Sequence, residues 1–178
     1  VKGSLLNKIR KNKLESKFIL SHPIAGSEKS GFLNSSEDLF RDKISIISKH
    51  KGLAIPTLQK CKELWFELGS KTHNLDPKLH DKILSLTSHL PHVVAFSLIS
   101  LFSKRKPSEY KKFIGGGLKD FTRIAESDPV MWENIFSLNK KNLLRDISEF
   151  EKEINKIKSF ILQENGNKLE EHLKKIKK

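Results

Sequence analysis

The sequence of 178 residues predicts a mainly α fold, in which a helical domain is preceded by the last elements of an α/β layer. Three observations carry this. From residue 76 onward the apolar residues recur at helical spacing almost without a break. Two Asp-Pro pairs, Asp76-Pro77 and Asp128-Pro129, each supply an N-cap followed by a first-turn proline. Before residue 76 only two clear strands and two helices can be read, too few for a self-sufficient α/β layer.

Taken in order, LLNKIRKNKL (5–14) predicts a short basic helix, and SKFILSHP (16–23) is a β-prone run that ends against a proline. KISIISK (43–49) alternates as a second strand. PTLQKCKELWFELG (56–69) reads as an amphipathic helix closed by Gly69. The chain thus divides into residues 1–50 with the last strands of the α/β part, a connecting helix and strand over 51–75, and an all-helical domain over 76–178. A helix runs from Pro77 past Phe102, with breakers at Lys106 and Pro107. The glycines 115–117 separate it from LKDFTRIAES, and DPVMWENIF opens the next helix. From Lys140 on, apolar residues at 143, 147, 150, 154, 157 and 161 alternate steps of four and three. That is a heptad seam, suited equally to packing within the subunit and to a contact between subunits.

Lys plus Arg outnumber Asp plus Glu by 34 to 21, a net charge of +13, which suits a polyanion, a membrane surface or a small acidic ligand alike. The basic residues are spread along the chain without interleaved aromatics, which argues against a nucleic-acid binder. Cys61 is the single cysteine and has no internal disulfide partner; no apolar run approaches the length of a membrane span, so a reducing, cytoplasmic setting is expected. Cys61 falls in step with Leu58, Trp65 and Leu68, as a small buried hydrophobe would.

Three stretches carry chemistry. In SHLPHVVAFSL (88–98), His89 and His92 lie one helical turn apart with Ser85 and Ser88 close by. Pro91 between them removes a backbone donor and costs roughly 3 kcal/mol inside a helix, which a shaped polar pocket would compensate. A zinc site is the rival reading, but the chain has no cysteine pair and no HExxH pattern, so no metal is expected. In HPIAGSEKSGF (22–32), His22 stands where a strand delivers its last side chain into a loop, and a histidine there can act as a general base near neutral pH. In GGGLKDFTRIA (115–125), Lys119 and Arg123 share a helical face, a like-charge pair relieved by an anion.

HPIAGSEKSG, LHDKILSLTSHLPHVVA and GGGLKDFTRIAESDPVMW, in this order and at these separations, closely resemble the prephenate dehydrogenase family, arogenate dehydrogenases included. The resemblance implies oxidation of the ring hydroxyl of prephenate, or of arogenate, by NAD or NADP in tyrosine biosynthesis. The ring carboxylate is then lost as carbon dioxide, giving 4-hydroxyphenylpyruvate or tyrosine. It further implies that His22 accepts the hydroxyl proton and Arg123 binds a carboxylate. Ser88, His89, His92 and Trp132 line the pocket, and Glu28, Lys119 and Asp120 form an ion network that holds Arg123. Leu118 stands where many relatives carry an aromatic. The family begins with a complete Rossmann domain, and this chain has no GxGxxG, so residues 1–50 correspond to the remnant of that domain and the cofactor-binding residues are not assigned. The reading is therefore of a fragment with the complete helical domain, a homodimer through its helical half, whose alternative is an inert dimerisation module.

Overall fold

The computed structural model describes residues 1–26, 33, 35–105 and 107–177. Helix α1 (Lys2–Lys11) opens the chain and buries Leu6 and Ile9 against Leu20, with Leu14 packed beside them. Leu20 belongs to β1 (Leu20–Pro23), which pairs antiparallel with β2 (Ile44–Ser48) in the register His22 to Ile46. β2 in turn pairs parallel with β3 (Lys71–Leu75), and α2 (Ile55–Glu67) makes the crossover between them. Central β2 has Ser45, Ile46, Ile47 and Ser48 buried, as a strand covered on both faces should. The Ser45 and Ser70 hydroxyls meet at 2.8 Å inside it, and the Ser70 hydroxyl also donates to the Lys43 carbonyl. Gly69, as expected, ends the α2 segment at φ +77°, where Arg41 Cα would stand 3.3 Å from an added Cβ.

Asp76 caps α3 (Pro77–Leu84), accepting from the amides of Lys78 and Leu79. The helix continues through a π turn (Ser85–His89) into α4 (Leu90–Ser103). The π turn answers Pro91. Leu90 N–H reaches back five residues to the Ser85 carbonyl, so the widened turn sits where the proline ring would otherwise crowd the preceding turn. It also sets phase: twelve α-helical residues from 80 to 92 would rotate His92 about 120° away from His80, and one inserted residue cuts that to about 20°. The polar break at His89 to His92 hides how apolar this helix is. Contrary to the sequence expectation, Pro77–Ser103 is long and apolar enough to cross a membrane by length and composition, with 28% of its most apolar window buried.

The short α5 (Pro107–Tyr110) leads to α6 (Gly116–Ala125), which packs on α4 and takes two of the three glycines into its first turn. Asp128 then caps α7 (Pro129–Leu138) through the amides of Val130 and Met131. The long α8 (Lys140–Leu162) lies against the π turn, α4 and α7, and α9 (Gly166–Ile176) folds back on it. The heptad seam is split along α8. Leu143 is buried within the subunit, whereas Ile154 and Ile161 are exposed.

Candidate active site

A cleft of about 580 Å³ opens where β1, the α3–α4 helix, α6 and α7 converge. The sequence stretches chosen for their chemistry meet here: His22, Ser88, His89, His92, Arg123 and Trp132 all line it. Lys119 and Asp120 lie on α6 with exposed side chains outside the lining, and among the described residues no ion pair joins either to Arg123. Glu28 lies outside the described residues.

His22 arrives at the cleft because it is the third residue of a four-residue strand that stops at Pro23. Its Nδ1 lies 2.8 Å from His80 Nε2, and His80 Nδ1 lies 2.9 Å from Asp81 Oδ1. A carboxylate only accepts, so a neutral His80 carries its proton on Nδ1 and offers Nε2 as a lone pair. His22 therefore donates from Nδ1, and its Nε2 is left as an acceptor. Burial holds the His22 pKa down at about 4, with His80 and Lys2 adding to the effect, so the ring is neutral at physiological pH. Asp81 is itself fixed from the far side. Its two oxygens accept the Lys2 and Gly3 amides at 2.7 and 2.8 Å and so cap α1 from another helix. Burial alone would raise its pKa, but the bonds from His80 and from those two amides outweigh it and leave the net shift downward.

The opposite wall is aromatic. Trp132, buried, stacks on His92 with ring centroids 3.5 Å apart and 20° between planes, and meets His89 edge-on at 6.1 Å. His92 donates from Nδ1 to the Ser88 carbonyl at 2.9 Å. Arg123 stands exposed at the rim, where a guanidinium can fork onto a carboxylate. The cleft thus combines a neutral base, an aromatic and apolar wall and two cationic side chains, Arg123 and Lys2. It suits a small ring that carries a hydroxyl and a carboxylate.

Residues 76–175 match the family model described as prephenate dehydrogenase, dimerization domain, and residues 1–74 match the one described as prephenate dehydrogenase, nucleotide-binding domain. The chain belongs to the prephenate dehydrogenase family. Among curated relatives it is 30% identical over 181 residues to the cyclohexadienyl dehydrogenase of Zymomonas mobilis, which covers 100% of this chain and 62% of that protein. It is 34% identical over 162 residues to the prephenate dehydrogenase of Bacillus subtilis, covering 90% of this chain and 44% of that one. Among solved structures, a prephenate dehydrogenase from A. aeolicus in complex with hydroxyphenyl propionate and NAD+ superposes with a TM-score of 0.91 at 41% identity, over 99% of this chain and 62% of that one. The chain therefore spans less than two thirds of the length of these relatives.

His80, Asp81 and Lys2 escaped the sequence reading although the first two lie inside a motif it had singled out. The signal was the step of four through His80, Leu84, Ser88 and His92, all of which line the cleft. A regular helix would fan these four across about 120° of its surface, and the π turn narrows that fan.

Proposed function

We propose that this chain forms the substrate-binding and proton-accepting part of a prephenate dehydrogenase of tyrosine biosynthesis, acting as a cytoplasmic homodimer. The observation that carries the reading is the chain from Asp81 through His80, which holds His22 Nε2 as an acceptor in a cleft with an aromatic wall and an arginine. When the ring hydroxyl of prephenate is oxidised, its proton passes to His22 Nε2. Loss of the ring carboxylate as carbon dioxide leaves its electron pair in the ring, which becomes a phenol. The phenol oxygen takes a proton back, and His22 is again neutral. Ser88, His89, His92 and Trp132 line the pocket, and Arg123 holds a carboxylate. Glu28, Lys119 and Asp120 remain the proposed ion network around that arginine. Arogenate in place of prephenate would use the same base and the same arginine.

The cofactor is of the nicotinamide type, supported by the match of residues 1–74 and by the NAD+ complex of the A. aeolicus relative. It supplies the hydride acceptor when bound. The sequence carries no GxGxxG fingerprint, and the residues that would hold its pyrophosphate are not assigned. The division into residues 1–50, 51–75 and 76–178 is part of the same proposal, and it places His22 on the α/β side and Arg123 on the helical side of one cleft.

The dimer is supported by an apolar groove of about 360 Å³ between α4 and α8, lined by Val93, Val94, Leu98, Leu101, Phe150 and Ile154. The description of the matched family model points the same way.

Calorimetric titration with hydroxyphenyl propionate tests the substrate site. Binding is expected, and Arg123→Ala should weaken it by about 1.5–3 kcal/mol, roughly 10- to 150-fold, the range of a hydrogen-bonded charged contact. No binding by the unmutated chain, or equal affinity with and without Arg123, would contradict the assignment.

A further inference from the structure

We propose that Asn139 is a positioning residue that fixes His89 as a hydrogen-bond donor toward the cleft, where its Nε2–H receives a carboxylate or keto oxygen of the ligand. The ligand's identity rests on the dehydrogenase reading; the tautomer does not.

Asn139 is buried at the junction of α7 and α8, at 4% exposure. Its amide orientation follows from its partners. Nδ2 lies 2.8 Å from the Asp81 carbonyl, which can only accept, and Oδ1 accepts from Asn142 Nδ2 at 2.8 Å. Turning the amide over would set two oxygens against each other at the first contact and two N–H groups at the second. Nδ2 is therefore the group that stands 3.1 Å from His89 Nδ1, and its second hydrogen points there. An N–H donor requires a lone pair, so His89 is unprotonated at Nδ1 and carries its proton on Nε2.

His89 lines the cleft, and Nδ1 is taken. The result is a division of labour among three imidazoles. His22 and His92 each spend their Nδ1 proton on a protein acceptor and turn an Nε2 lone pair outward. His89 alone turns a proton outward. An anionic ligand meets one neutral donor among two neutral acceptors, and this orients it: oxygens toward His89, hydroxyl toward His22. Burial keeps His89 neutral, its pKa held down at about 4, so the donor persists across the physiological range without a net charge. The titratable side chains around it are those of Asp81, His80 and His92. Both tautomers trace to Asp81, whose side chain orients His80 and whose carbonyl orients Asn139. One residue thus sets opposite tautomers at His22 and His89.

The direct test is the imidazole nitrogen spectrum of the unmutated chain by long-range proton–nitrogen NMR at neutral pH. His89 should show a protonated Nε2 and a bare Nδ1, the reverse of His22; a proton on His89 Nδ1 overturns the proposal. The second arm measures binding of hydroxyphenyl propionate and of 4-ethylphenol, which lacks the carboxylate. Asn139→Asp, close in shape, should favour a proton on His89 Nδ1. Affinity for the acid should then fall about 10-fold at pH 8, recover as pH drops to 6 because the new carboxylate beside Nδ1 raises the His89 pKa from its depressed value and lets the ring become doubly protonated, and leave 4-ethylphenol unaffected. Equal losses for both ligands, or a loss that does not recover at pH 6, would mark Asn139 as structural only. If the unmutated chain binds neither ligand, the dehydrogenase reading falls and the donor's role in binding falls with it. If it binds the acid and the His89 tautomer is reversed, only the positioning role of Asn139 is lost.

Discussion

At the scale of the residue, the cleft is governed by which nitrogen of each histidine holds the proton. Asp81 decides this for His22 through His80, and it has a second task in capping α1. Asp81→Asn should therefore do two separable things. It should lower thermal stability, by about 1–3 kcal/mol for the weakened buried hydrogen bonds, and it should scramble the His22 tautomer in the nitrogen spectrum. A stability loss with an unchanged tautomer would show that His80 is oriented by something else. The depressed histidines also make a prediction about pH. His22 and His89 are held near 4 in the fold, whereas unfolded histidine titrates near 6.5. Between those values the unfolded chain binds protons that the folded chain refuses, so stability falls as pH drops from about 6.5 to about 4 and is flat with respect to these groups above that window. Asp81, depressed below the ordinary carboxylate value, adds its own loss only at still lower pH. Melting temperature against pH should show this acid slope, and His22→Asn should make it shallower; an unchanged slope would mean that His22 is not held neutral. The sequence made His22 and His89 legible as residues of interest, but not their tautomers. Those depend on Asp81 and Asn139, which lie 59 and 50 residues away along the chain and come close only through the packing of α3 with α1 and of the π turn with α8.

At the scale of the element, local sequence rules did most of the work. Both Asp-Pro pairs cap helices as expected, each aspartate accepting from two backbone amides. Asp128→Ala should cost about 1 kcal/mol and lower the melting temperature, and Asp128→Asn should restore most of it. Loss of stability that asparagine does not rescue would point to a charge effect rather than a cap. β3 is the weakest element by pattern: KTHNL is short, polar and largely exposed, and it is a strand because parallel β2 and helix α2 bring it to the sheet. The π turn was visible only as a strained proline. What Pro91 does cannot be read from its own neighbourhood, because its benefit is the alignment of His80 with His92 about three turns apart. Position 91 is partly buried.

At the scale of the whole molecule, the long helix Pro77–Ser103 presents His80, Ser88 and His92 to the cleft and its apolar residues to the groove with α8. Leu101 and Ile154 are about half exposed there, a large apolar surface for a chain with a net charge of +13. The heptad pattern made the seam legible but could not say which part is covered by its own subunit; Leu143 is buried, and Ile154 and Ile161 are left exposed. Light scattering should give a species of twice 20.4 kDa at micromolar concentration, and Ile154→Asp should disrupt it. A stable folded monomer of the unmutated chain would contradict the dimer. The central claim is that His22 is the neutral base of a dehydrogenase, and replacing it tests that most directly. In an enzyme that carries these residues together with a complete nucleotide-binding domain, His22→Asn should lower turnover of prephenate on the order of 100-fold or more while hydroxyphenyl propionate still binds with nearly unchanged affinity. Turnover equal to that of the unmutated enzyme would remove His22 from the chemistry and with it the role assigned to His80 and Asp81.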